Sequence, residues 1–374
     1  MTIFDASPVR LNTPLPIASA SARNRIFLAP MSGVTDLPFR QLANRFDAGL
    51  VVSEMVASQE LVVDNPDSRL RMDVDGLQTP VVQLAGREAQ WMGEAAKIAE
   101  GAGAAVIDIN MGCPAKKVTS GYSGSALMRD LDHALTLIDA TVAAVKVPVT
   151  LKMRLGWDDE SLNAADLACR ARDAGVQMIT VHGRTRCQFY KGQANWQAIA
   201  AVKAAVDIPV VANGDLISTD DLTMMMNQTG CDALMTGRGA YGRPWLPGYL
   251  ASVDQEVFLA TLPSPAELIS EHYEMLVDHH ATLKGRPLGV RIARKHFGWY
   301  FDTAQRPVTP EPSALQTLMR SDDAAAVRKA ITQVWLDATW LKPIGREGQS
   351  QIRNQDPFKS VGIAPQSTRS AQAA

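Results

Sequence analysis

The chain has 374 residues, and its hydrophobic content of 46% supports a large core and allows two or three domains. The formal net charge of −2 predicts no overall attraction to a polyanion, so nucleic-acid binding would need a local basic patch. None of the 4 cysteines forms a CxxC pair, which disfavours a disulfide framework or a structural zinc site and suits a reducing cytoplasm.

Residues 1–24 are an N-terminal segment that lacks the apolar run of a signal peptide. No later segment reaches the roughly 20 uninterrupted apolar residues that a membrane span needs. The histidines form no HExxH motif, so metal chemistry is not expected either.

Between residue 25 and about residue 240, eight short apolar runs alternate with stretches of helical spacing, several of which end in glycine. The runs are IFLA (26–29), LVVS (50–53), VVQL (81–84), AVIDI (105–109), VTLK (149–152), MITV (178–181), VVAN (210–213) and ALMT (233–236). Near-continuous apolar strands separated by helices indicate a parallel sheet. Eight such units predict a closed (β/α)8 barrel of the α/β class at residues 25–250, and the count disfavours an open doubly wound sheet.

The alternation stops near residues 251–265, and a second domain is predicted after it. Its four helical stretches are AELISEHYEMLVDHHA, GVRIARKHFGWYFD, SALQTLMR and DDAAAVRKAITQVWLDATWL. They predict an all-helical bundle at residues 264–342, with His272, His279 and His280 on one solvated helix. Residues 343–374 are polar and rich in Gln, Ser, Gly and Pro, which predicts a disordered tail.

All eight predicted strands end in polar or turn-forming residues. In a (β/α)8 barrel these ends meet at one rim, called the mouth here, where the chemistry of such enzymes takes place. A purely structural barrel could carry a few polar ends, but polar groups at every end favour a ligand site. In chain order the ends carry Pro30, Met31 and Ser32; Ser53 and Glu54; Gln83; Asp108 and Asn110; Lys152 and Arg154; His182 and Arg184; Asn213, Gly214 and Asp215; and Gly237, Arg238 and Gly239.

The last two ends, ANGD and TGRG, predict a phosphate site. A phosphate frequently binds between the loops after strands seven and eight of such barrels, where glycine lets backbone N–H groups approach an anion and Arg238 adds charge. Ordinary turns are the alternative. Lys152 could form a Schiff base, bind a phosphate or stabilise a negative flavin ring. His182 could contact a cofactor, and the Gln83 amide could read the edge of a heterocycle.

Cys113 follows the fourth predicted strand, in the segment NMGCPAKK. It could act as a thiolate nucleophile or as a neutral thiol that donates a proton, since the ordinary thiol pKa is about 8.5. Lys116 and Lys117 would favour the thiolate if they approached it. The other cysteines are Cys169 and Cys231, which suit a small buried apolar role, and Cys187, which also follows a strand end.

Eight segments, taken in order, resemble the tRNA-dihydrouridine synthases, and the bacterial B type in particular. They are APMSGVTDLPFR, VVSEM, VQLAG, IDINMGCPAKKV, LKMRLGW, HGRTR, VVANGD and GRGAYGRPW. The segment GVRIARKHFGWY in the helical domain is also similar to that subgroup. The resemblance spans about residues 25–340, and the combination of NMGCP, NGD and GR is highly specific.

The resemblance implies a cytoplasmic, monomeric flavin enzyme, without metal or membrane, that uses NADPH to reduce a uridine in tRNA to 5,6-dihydrouridine. A D-loop uridine is the expected substrate. By the motifs of the family, Cys113 is expected to be the proton donor. Because the C5=C6 bond of uracil is polarised toward the O4 carbonyl, hydride should go to C6 and the proton to C5, so Cys113 is expected to be neutral. The expected FMN contacts are Pro30, Met31, Ser32, Gln83, Lys152, His182, Asn213, Gly214, Asp215, Gly237 and Arg238.

The resemblance also assigns RNA as the ligand of the basic residues. A uridine must leave its stack to reach the mouth, which costs a few kcal/mol, and positively charged and aromatic surface must offset that cost. The segment KGRPLGVRIARKHFGWY carries five basic residues and no acidic one, although a merely solvated helix face is the alternative. The expected tRNA contacts are Asn110, Lys116, Lys117, Arg154, Arg184, Arg186, Arg291, Arg294 and Lys295.

Two other functions use the same residues. A flavin oxidoreductase of the dihydroorotate dehydrogenase kind would handle a free pyrimidine, but would leave the basic helical domain without a task. A non-catalytic RNA chaperone could have kept the barrel without the cofactor.

Overall fold

The computed structural model describes residues 11–343, whose strands form three sheets. Residues 1–10 of the N-terminal segment, and the predicted tail from residue 344 onward, lie outside the described part of the chain. The strands are β1 (Leu15–Ile17), β2 (Ala20–Ala22), β3 (Ile26–Leu28), β4 (Val56–Ala57), β5 (Val81–Ala85), β6 (Val106–Met111), β7 (Val149–Arg154), β8 (Met178–His182), β9 (Val210–Asn213), β10 (Ala233–Thr236), β11 (Ala304–Gln305) and β12 (Thr339–Trp340).

Helices follow most of the barrel strands and make up most of the chain after them. They are α1 (Leu37–Arg45), α2 (Ser58–Val62), α3 (Pro66–Met72), α4 (Ala89–Gly101), α5 (Lys116–Thr119), α6 (Leu131–Ala144), α7 (Ala164–Asp173), α8 (Trp196–Ala205), α9 (Thr219–Thr229), α10 (Leu246–Ala251), α11 (Gln255–Thr261), α12 (Pro265–Lys284), α13 (Arg286–Thr303), α14 (Pro312–Arg320) and α15 (Ala324–Val334). Within residues 11–343, no helix is long and apolar enough to cross a membrane.

Eight parallel strands form the predicted (β/α)8 barrel. Their order is β3, β10, β9, β8, β7, β6, β5, β4. Parallel bridges from Leu28 to Val51 and from Val52 to Val81 join the first strand to the third and close the ring. A continuous apolar core lies between the strands and the surrounding helices. The predicted fold class is therefore confirmed.

The second predicted strand, residues 50–53, is reduced to these isolated bridges, and regular pairing resumes only at β4. Ser53 explains the interruption. Its hydroxyl oxygen accepts the Gln83 N–H (2.9 Å) and its hydroxyl donates to the Glu54 carbonyl oxygen (2.8 Å), so side-chain bonds replace part of the strand ladder. The apolar run gives no sign of this substitution.

The barrel interior is apolar at the end opposite the mouth. The first residues of several strands form a buried layer there, for example Val81, Val106 and Met178. The antiparallel hairpin of β1 and β2 packs Leu15 and Ile17 against this layer. The N-terminal segment thus contains a hairpin that covers the apolar end, which leaves the polar mouth as the place for chemistry.

The second domain consists of α12 to α15 and the small sheet of β11 and β12. Helix α12 begins with a capping box, in which Ser264 and Glu267 satisfy each other's backbone N–H groups. The domain has its own aromatic core, which includes Tyr273, Phe297 and Trp335. A helical region therefore follows the barrel, as the periodicity predicts.

The prediction of a solvated histidine helix is wrong for His272, which is 1% exposed and lies with its Nδ1 2.8 Å from the Tyr300 hydroxyl. The His296 ring of α13 lies 4.7 Å from it, measured between ring centroids. His280 Nε2 is 3.4 Å from a carboxylate oxygen of Asp36, which caps α1. The reason is that α12 packs against both α13 and α1, so one face of α12 forms the domain interface.

Candidate active site

Polar side chains from neighbouring strands meet inside the mouth because alternate residues of a strand face the same side. Asp108 and Asn110 share one face of β6, and Lys152 and Arg154 share one face of β7. Hydrogen bonds link these residues to one another and to nearby strands and loops. The structure brings together the predicted residues Gln83, Asp108, Asn110, Lys152, Arg154, His182 and Asn213.

Cys113 lies directly after β6 in the cysteine loop, residues 112–125. Its side chain is partly buried, and its backbone N–H donates to Asn110 Oδ1 (2.9 Å). Burial raises the pKa of the thiol, although a backbone hydrogen bond from Ala115 and the charges of Arg154 and Lys152 act in the opposite direction. A thiol with a raised pKa is neutral near pH 7, which is the state that the sequence analysis expects.

The cysteine loop is held at both ends. Ser125 donates to the Cys113 carbonyl oxygen through its N–H (3.0 Å) and its hydroxyl (2.8 Å), and Arg154 Nε donates to the Gly112 carbonyl oxygen (2.7 Å). Gly124 has a φ of 60°, and a Cβ added there would lie 2.8 Å from that Cys113 oxygen. Only glycine fits this position without moving the backbone that carries the thiol.

Lys152 is a partly buried cation whose Nζ donates to Asn213 Oδ1 (3.2 Å). Burial and the neighbouring Arg154 lower its pKa to about 8, although Asp108 opposes them. The ammonium group is therefore charged at neutral pH but near the point of losing its proton. Such a group can stabilise negative charge that develops in the mouth and can also give up a proton.

His182 is neutral in this environment, because burial and the nearby Arg154, Lys152 and Arg184 lower its pKa well below the ordinary value. Its Nδ1 lies 3.1 Å from Asn213 Oδ1, and its Nε2 lies 3.3 Å from the Arg184 guanidinium. The two contacts define the tautomer: Nδ1–H donates to Asn213, and Nε2 accepts from Arg184.

Gln83 lies deep in the mouth with both ends of its amide engaged. Its Nε2 donates to Asp108 Oδ2 (2.7 Å), and its Oε1 accepts from Asn110 Nδ2 (2.7 Å). Thr150 donates to the other Asp108 oxygen (2.7 Å). Burial raises the pKa of Asp108, while these two hydrogen bonds and Lys152 lower it. The sequence analysis places Asp108 at a strand end without giving it a role.

The loops after β9 and β10 carry the predicted phosphate glycines. Gly214 has a φ of 119°, and a Cβ added there would lie 2.8 Å from Ala194 Cβ, so the close backbone path requires glycine. The Asp215 carboxylate accepts from the Ala194 N–H (2.7 Å) and from Arg184 Nη2 (2.7 Å). Asp215 therefore joins two loops of the mouth through its side chain.

Arg238 stacks on the ring of Tyr190, which also contacts Arg154 and His182. The Arg238 guanidinium is half exposed, lies 3.6 Å from Asp215, and stacks over the Tyr190 ring at 4.9 Å from its centroid. Arg154 approaches the same ring at 5.4 Å, and His182 contacts it edge-on. The sequence analysis does not select Tyr190, although its position eight residues after His182 could have suggested a mouth residue.

The first strand end lies beside the helical domain. Pro30, Met31 and Ser32 are all partly buried, and an added Cβ at Gly237 would lie 3.7 Å from Met31 Sδ. The Gly33 N–H donates to the Glu54 carboxylate. Burial lowers the pKa of Lys295 of α13, although Asp36 and Glu54 oppose it. A lysine of the second domain thus approaches buried carboxylates of the barrel.

Arg154 and Arg184 are not surface cations, contrary to their expected role in RNA binding. They are 2% and 1% exposed. Arg154 donates to the carbonyl oxygens of Gly112, Thr185 and Phe189, and Arg184 donates to those of Lys191 and Gly192 and to Asp215. These guanidinium groups fasten the mouth loops together, so their placement argues against contact with RNA phosphates.

Three other predicted cations lie on the rim. Lys116 and Lys117 are exposed on α5, the short helix within the cysteine loop. Arg186 stacks over Trp157 at 4.7 Å and lies with its Nη2 3.4 Å from the Thr119 hydroxyl. The positive charge and the aromatic ring occur together within reach of Cys113's loop, as a stacking platform for nucleic acid requires.

The basic stretch of α13 is partly neutralised. Arg291 and Arg294 both pair with Asp322, at 2.5 and 2.6 Å. Arg291 remains mostly exposed, whereas the Arg294 side chain is 14% exposed. The counter-ion comes from the turn between α14 and α15, so the segment KGRPLGVRIARKHFGWY gives no sign of it.

A barrel whose mouth holds a neutral cysteine, a partly buried lysine and a fixed histidine is the arrangement of a (β/α)8 enzyme with acid–base chemistry. Among the described residues, no group of three or more His, Cys, Asp or Glu side chains is arranged to hold a metal ion. A search of solved structures agrees with the fold: histamine dehydrogenase from Rhizobium sp. 4-9 superposes with a TM-score of 0.51 at 16% identity, over 71% of this chain and 51% of that one.

Sequence comparisons identify the family. The family described as "Dihydrouridine synthase (Dus)" matches residues 27–333, and this chain belongs to it. A Rhizobium leguminosarum bv. phaseoli protein named "Probable tRNA-dihydrouridine synthase" is 56% identical over 75% of this chain and 86% of its own length. The proteins named "tRNA-dihydrouridine synthase B" are 49% identical in Pseudomonas aeruginosa (75% and 84% covered) and 45% identical in Xanthomonas axonopodis pv. citri (86% and 96% covered).

Proposed function

We propose that this protein reduces a uridine of the tRNA D-loop to 5,6-dihydrouridine, with FMN as cofactor and NADPH as reductant. Membership of the dihydrouridine synthase family and the names of its relatives support the reaction. The observation that carries the proposal is Cys113, a neutral thiol held on fixed backbone beside the charged Lys152.

The donor set of the mouth fits FMN. The phosphate would be held by the backbone N–H groups near Gly214 and Gly237 and by Arg238, because the missing side chain at Gly214 leaves the backbone free to approach an anion. The ring would be held by Gln83 and Lys152, whose amide and ammonium groups keep further N–H donors for a flavin edge. The imidazole ring of His182, whose two nitrogens are both engaged, would pack against the cofactor. Further contacts are expected from Pro30, Met31, Ser32, Asn213 and Asp215.

The chemistry that FMN would supply when bound is a hydride for C6 of the uracil ring. Because the C5=C6 bond is polarised toward the O4 carbonyl, negative charge then develops at C5 and O4. Cys113 donates its proton to C5, which requires the thiol to be neutral beforehand. Lys152, positively charged below about pH 8, stabilises negative charge in the mouth.

The rim supplies the contacts that a flipped uridine needs. Lys116, Lys117 and Arg186 would contact RNA phosphates near the extruded base, and the exposed Arg291 of the helical domain would contact a more distant part of the tRNA. Lys295 approaches barrel carboxylates instead and is not assigned to RNA. The Trp157 ring carries the guanidinium groups of Arg186 and Arg129, at 4.7 and 4.9 Å from its centroid, and so holds Arg186 in place on the rim. Asn110, next to Cys113, would contact the base itself through the N–H that its present hydrogen bonds leave free.

The test compares Cys113→Ala with Cys187→Ala, a matched change at an exposed cysteine outside the network. A general acid typically contributes 10²–10⁴-fold to a rate. The rate at which Cys113→Ala reduces bulk tRNA should therefore be lower than the wild-type rate by roughly that factor. The variant should still bind FMN, seen as a yellow protein absorbing near 450 nm, and should still be reduced by NADPH. Cys187→Ala should behave like the wild type.

Three results would contradict the proposal. If Cys113→Ala reduces tRNA at the wild-type rate, Cys113 is not the proton donor. A colourless wild-type protein that still binds RNA indicates a non-catalytic role. Reduction of free pyrimidine in preference to tRNA indicates an enzyme of the dihydroorotate dehydrogenase kind. Comparing NADH with NADPH as reductant, and mapping dihydrouridine in tRNA from a strain that lacks this protein, tests the reductant and the D-loop assignment.

A further inference from the structure

A chain of hydrogen bonds runs from the centre of the barrel to the cysteine loop. Thr150 donates to Asp108 Oδ1 (2.7 Å), and Gln83 Nε2 donates to Asp108 Oδ2 (2.7 Å). Gln83 Oε1 accepts from Asn110 Nδ2 (2.7 Å), and Asn110 Oδ1 accepts from the Cys113 N–H (2.9 Å). Asn110 Oδ1 also accepts from the N–H of Gly112 (3.2 Å). The chain therefore joins a buried carboxylate to the backbone of the reactive thiol.

The register of the sheet explains why these groups meet. Gln83, Asp108 and Thr150 are partners on three adjacent strands, so their side chains form one layer of the barrel interior. Asn110 lies two residues further along β6 and faces the same side, one layer closer to the mouth. A carboxylate at position 108 thus contacts both neighbouring strands and reaches the cysteine loop through two amides.

The two ends of the chain independently define the same orientation of both amides. At the mouth, Asn110 must present its oxygen to two backbone N–H groups, so its Nδ2 faces Gln83. In the interior, Asp108 accepts from Thr150 through Oδ1 and from Gln83 through Oδ2, so Gln83 presents its Nε2 to the carboxyl group. Both requirements place Gln83 Oε1 toward Asn110. Without the carboxylate, the Gln83 amide could turn, and two N–H groups would then face each other.

Asp108 is buried, at 4% exposed, and its direct hydrogen bonds come from neutral donors. Burying a carboxylate without a contacting cation is unfavourable for folding, since its hydration is lost. An apolar side chain would fill the same interior position without that cost. The carboxylate supplies something that an apolar side chain lacks, namely an acceptor that orients the amides above it.

We propose that Asp108 is a positioning residue that acts through Gln83 and Asn110 to hold the Cys113 backbone in place. The proposal rests on the proposed function only for its consequence, namely that the thiol is oriented toward C5 of the uracil. The hydrogen-bond chain makes a prediction that needs neither flavin nor RNA: the Cys113 amide is protected from exchange with solvent as long as the chain is intact.

The test measures hydrogen exchange of the Gly112 and Cys113 amides in the full-length protein. Asp108→Leu keeps the branched shape but removes both acceptor oxygens. It should raise exchange at these amides by roughly tenfold or more, the factor that a modest loss of hydrogen-bond free energy produces. Thr150→Val is the matched control, because it removes the bond to the other carboxylate oxygen and leaves Gln83 oriented. It should exchange like the wild type.

A second variant covers the case in which Asp108→Leu does not fold. The double variant Asp108→Asn with Gln83→Glu moves the carboxylate one step along the chain. The new amide at position 108 can then donate to the new carboxylate at position 83, which still accepts from Asn110. Protection of the Cys113 amide should therefore be retained. Wild-type exchange in folded Asp108→Leu, or loss of protection in the folded double variant, would overturn the proposal.

Activity adds a readout that a merely structural role would not move. In Asp108→Leu, flavin that is bound should still be reduced by NADPH, while kcat for tRNA of the flavin-loaded enzyme falls by roughly a hundredfold, the lower range for a misplaced general acid. Should the wild type neither bind flavin nor reduce tRNA, the proposed function fails and the exchange result still decides the role of Asp108. Equal kcat in the variant and the wild type, with flavin bound, argues against positioning.

Discussion

Lys152 shows how one partly buried charge links the chemistry of the mouth to stability. Burial and Arg154 lower its pKa to about 8 in the folded protein, whereas an exposed lysine titrates near 10.4. Between these two pH values the unfolded chain binds one more proton than the folded one. Raising the pH across this window therefore stabilises the folded state, and lowering it withdraws that stabilisation.

This linkage can be measured with Lys152→Met in flavin-free protein. From pH 7.5 to pH 10, the free energy of unfolding of the wild type should rise relative to that of the variant by roughly 2 kcal/mol, since one pKa unit corresponds to about 1.4 kcal/mol. Guanidinium chloride denaturation at the two pH values gives the difference. Lys97→Met, which removes an exposed lysine of α4, is the control. A wild-type–variant gap that does not change with pH argues against a lowered pKa.

The sequence predicts which residues reach the mouth better than it predicts what they do there. The period of two along β6 and β7 places Asn110, Lys152 and Arg154 correctly at strand ends. It cannot reveal that the Arg154 guanidinium is engaged by three carbonyl oxygens, because those oxygens come from loops up to 42 residues away. Tyr190 is missed for the same reason, since its role depends on cations from two other strands.

Among the secondary-structure elements, the strands are the best predicted, because near-continuous apolar runs are typical of a parallel sheet. The exception is residues 50–53, where the Ser53 hydroxyl takes over a backbone acceptor. For helix α13, the sequence shows the charged residues but not their partners. Its charges are evident in the sequence, but the pairing of Arg291 and Arg294 with Asp322 arises only when α14 and α15 pack beside it.

That pairing makes α13 a quantitative test of RNA binding. Reversing the charge in Arg291→Glu should weaken tRNA binding, raise KM, and reduce the slope of log affinity against log salt by about 1, as expected for one lost phosphate contact. The matched control is Arg328→Glu, since Arg328 of α15 is also exposed and paired with a carboxylate, that of Glu274. An exposed ion pair contributes at most about 1 kcal/mol, so both variants should fold. Identical salt slopes for the two variants exclude α13 from the RNA surface.

At the scale of the whole molecule, the two domains meet across a buried polar interface. His272 and His296 lie between α12, α13 and the barrel helix α1, together with Tyr300 and the capping carboxylate of Asp36. Burial lowers the pKa of His272 to about 4, and that of His296 well below its ordinary value. The position of the mouth relative to the basic residues of α13 thus depends on imidazole rings that must stay uncharged.

The domain interface should therefore weaken in acid. Between about pH 6.5 and pH 4 the unfolded chain binds a proton at His272 that the folded chain does not, so stability falls as the pH falls through this window. His272→Gln keeps a hydrogen-bonding group for Tyr300 but cannot titrate.

From pH 7 to pH 5, the wild type should lose roughly 2 kcal/mol of unfolding free energy relative to His272→Gln, by the same conversion of pKa into free energy. Urea denaturation at the two pH values measures this loss, and His133→Gln on α6, a helix that packs against α4 and α7, controls for removal of a histidine elsewhere. If His272→Gln and the wild type lose stability in parallel, the imidazole of His272 is not the group that links pH to the contact between the domains.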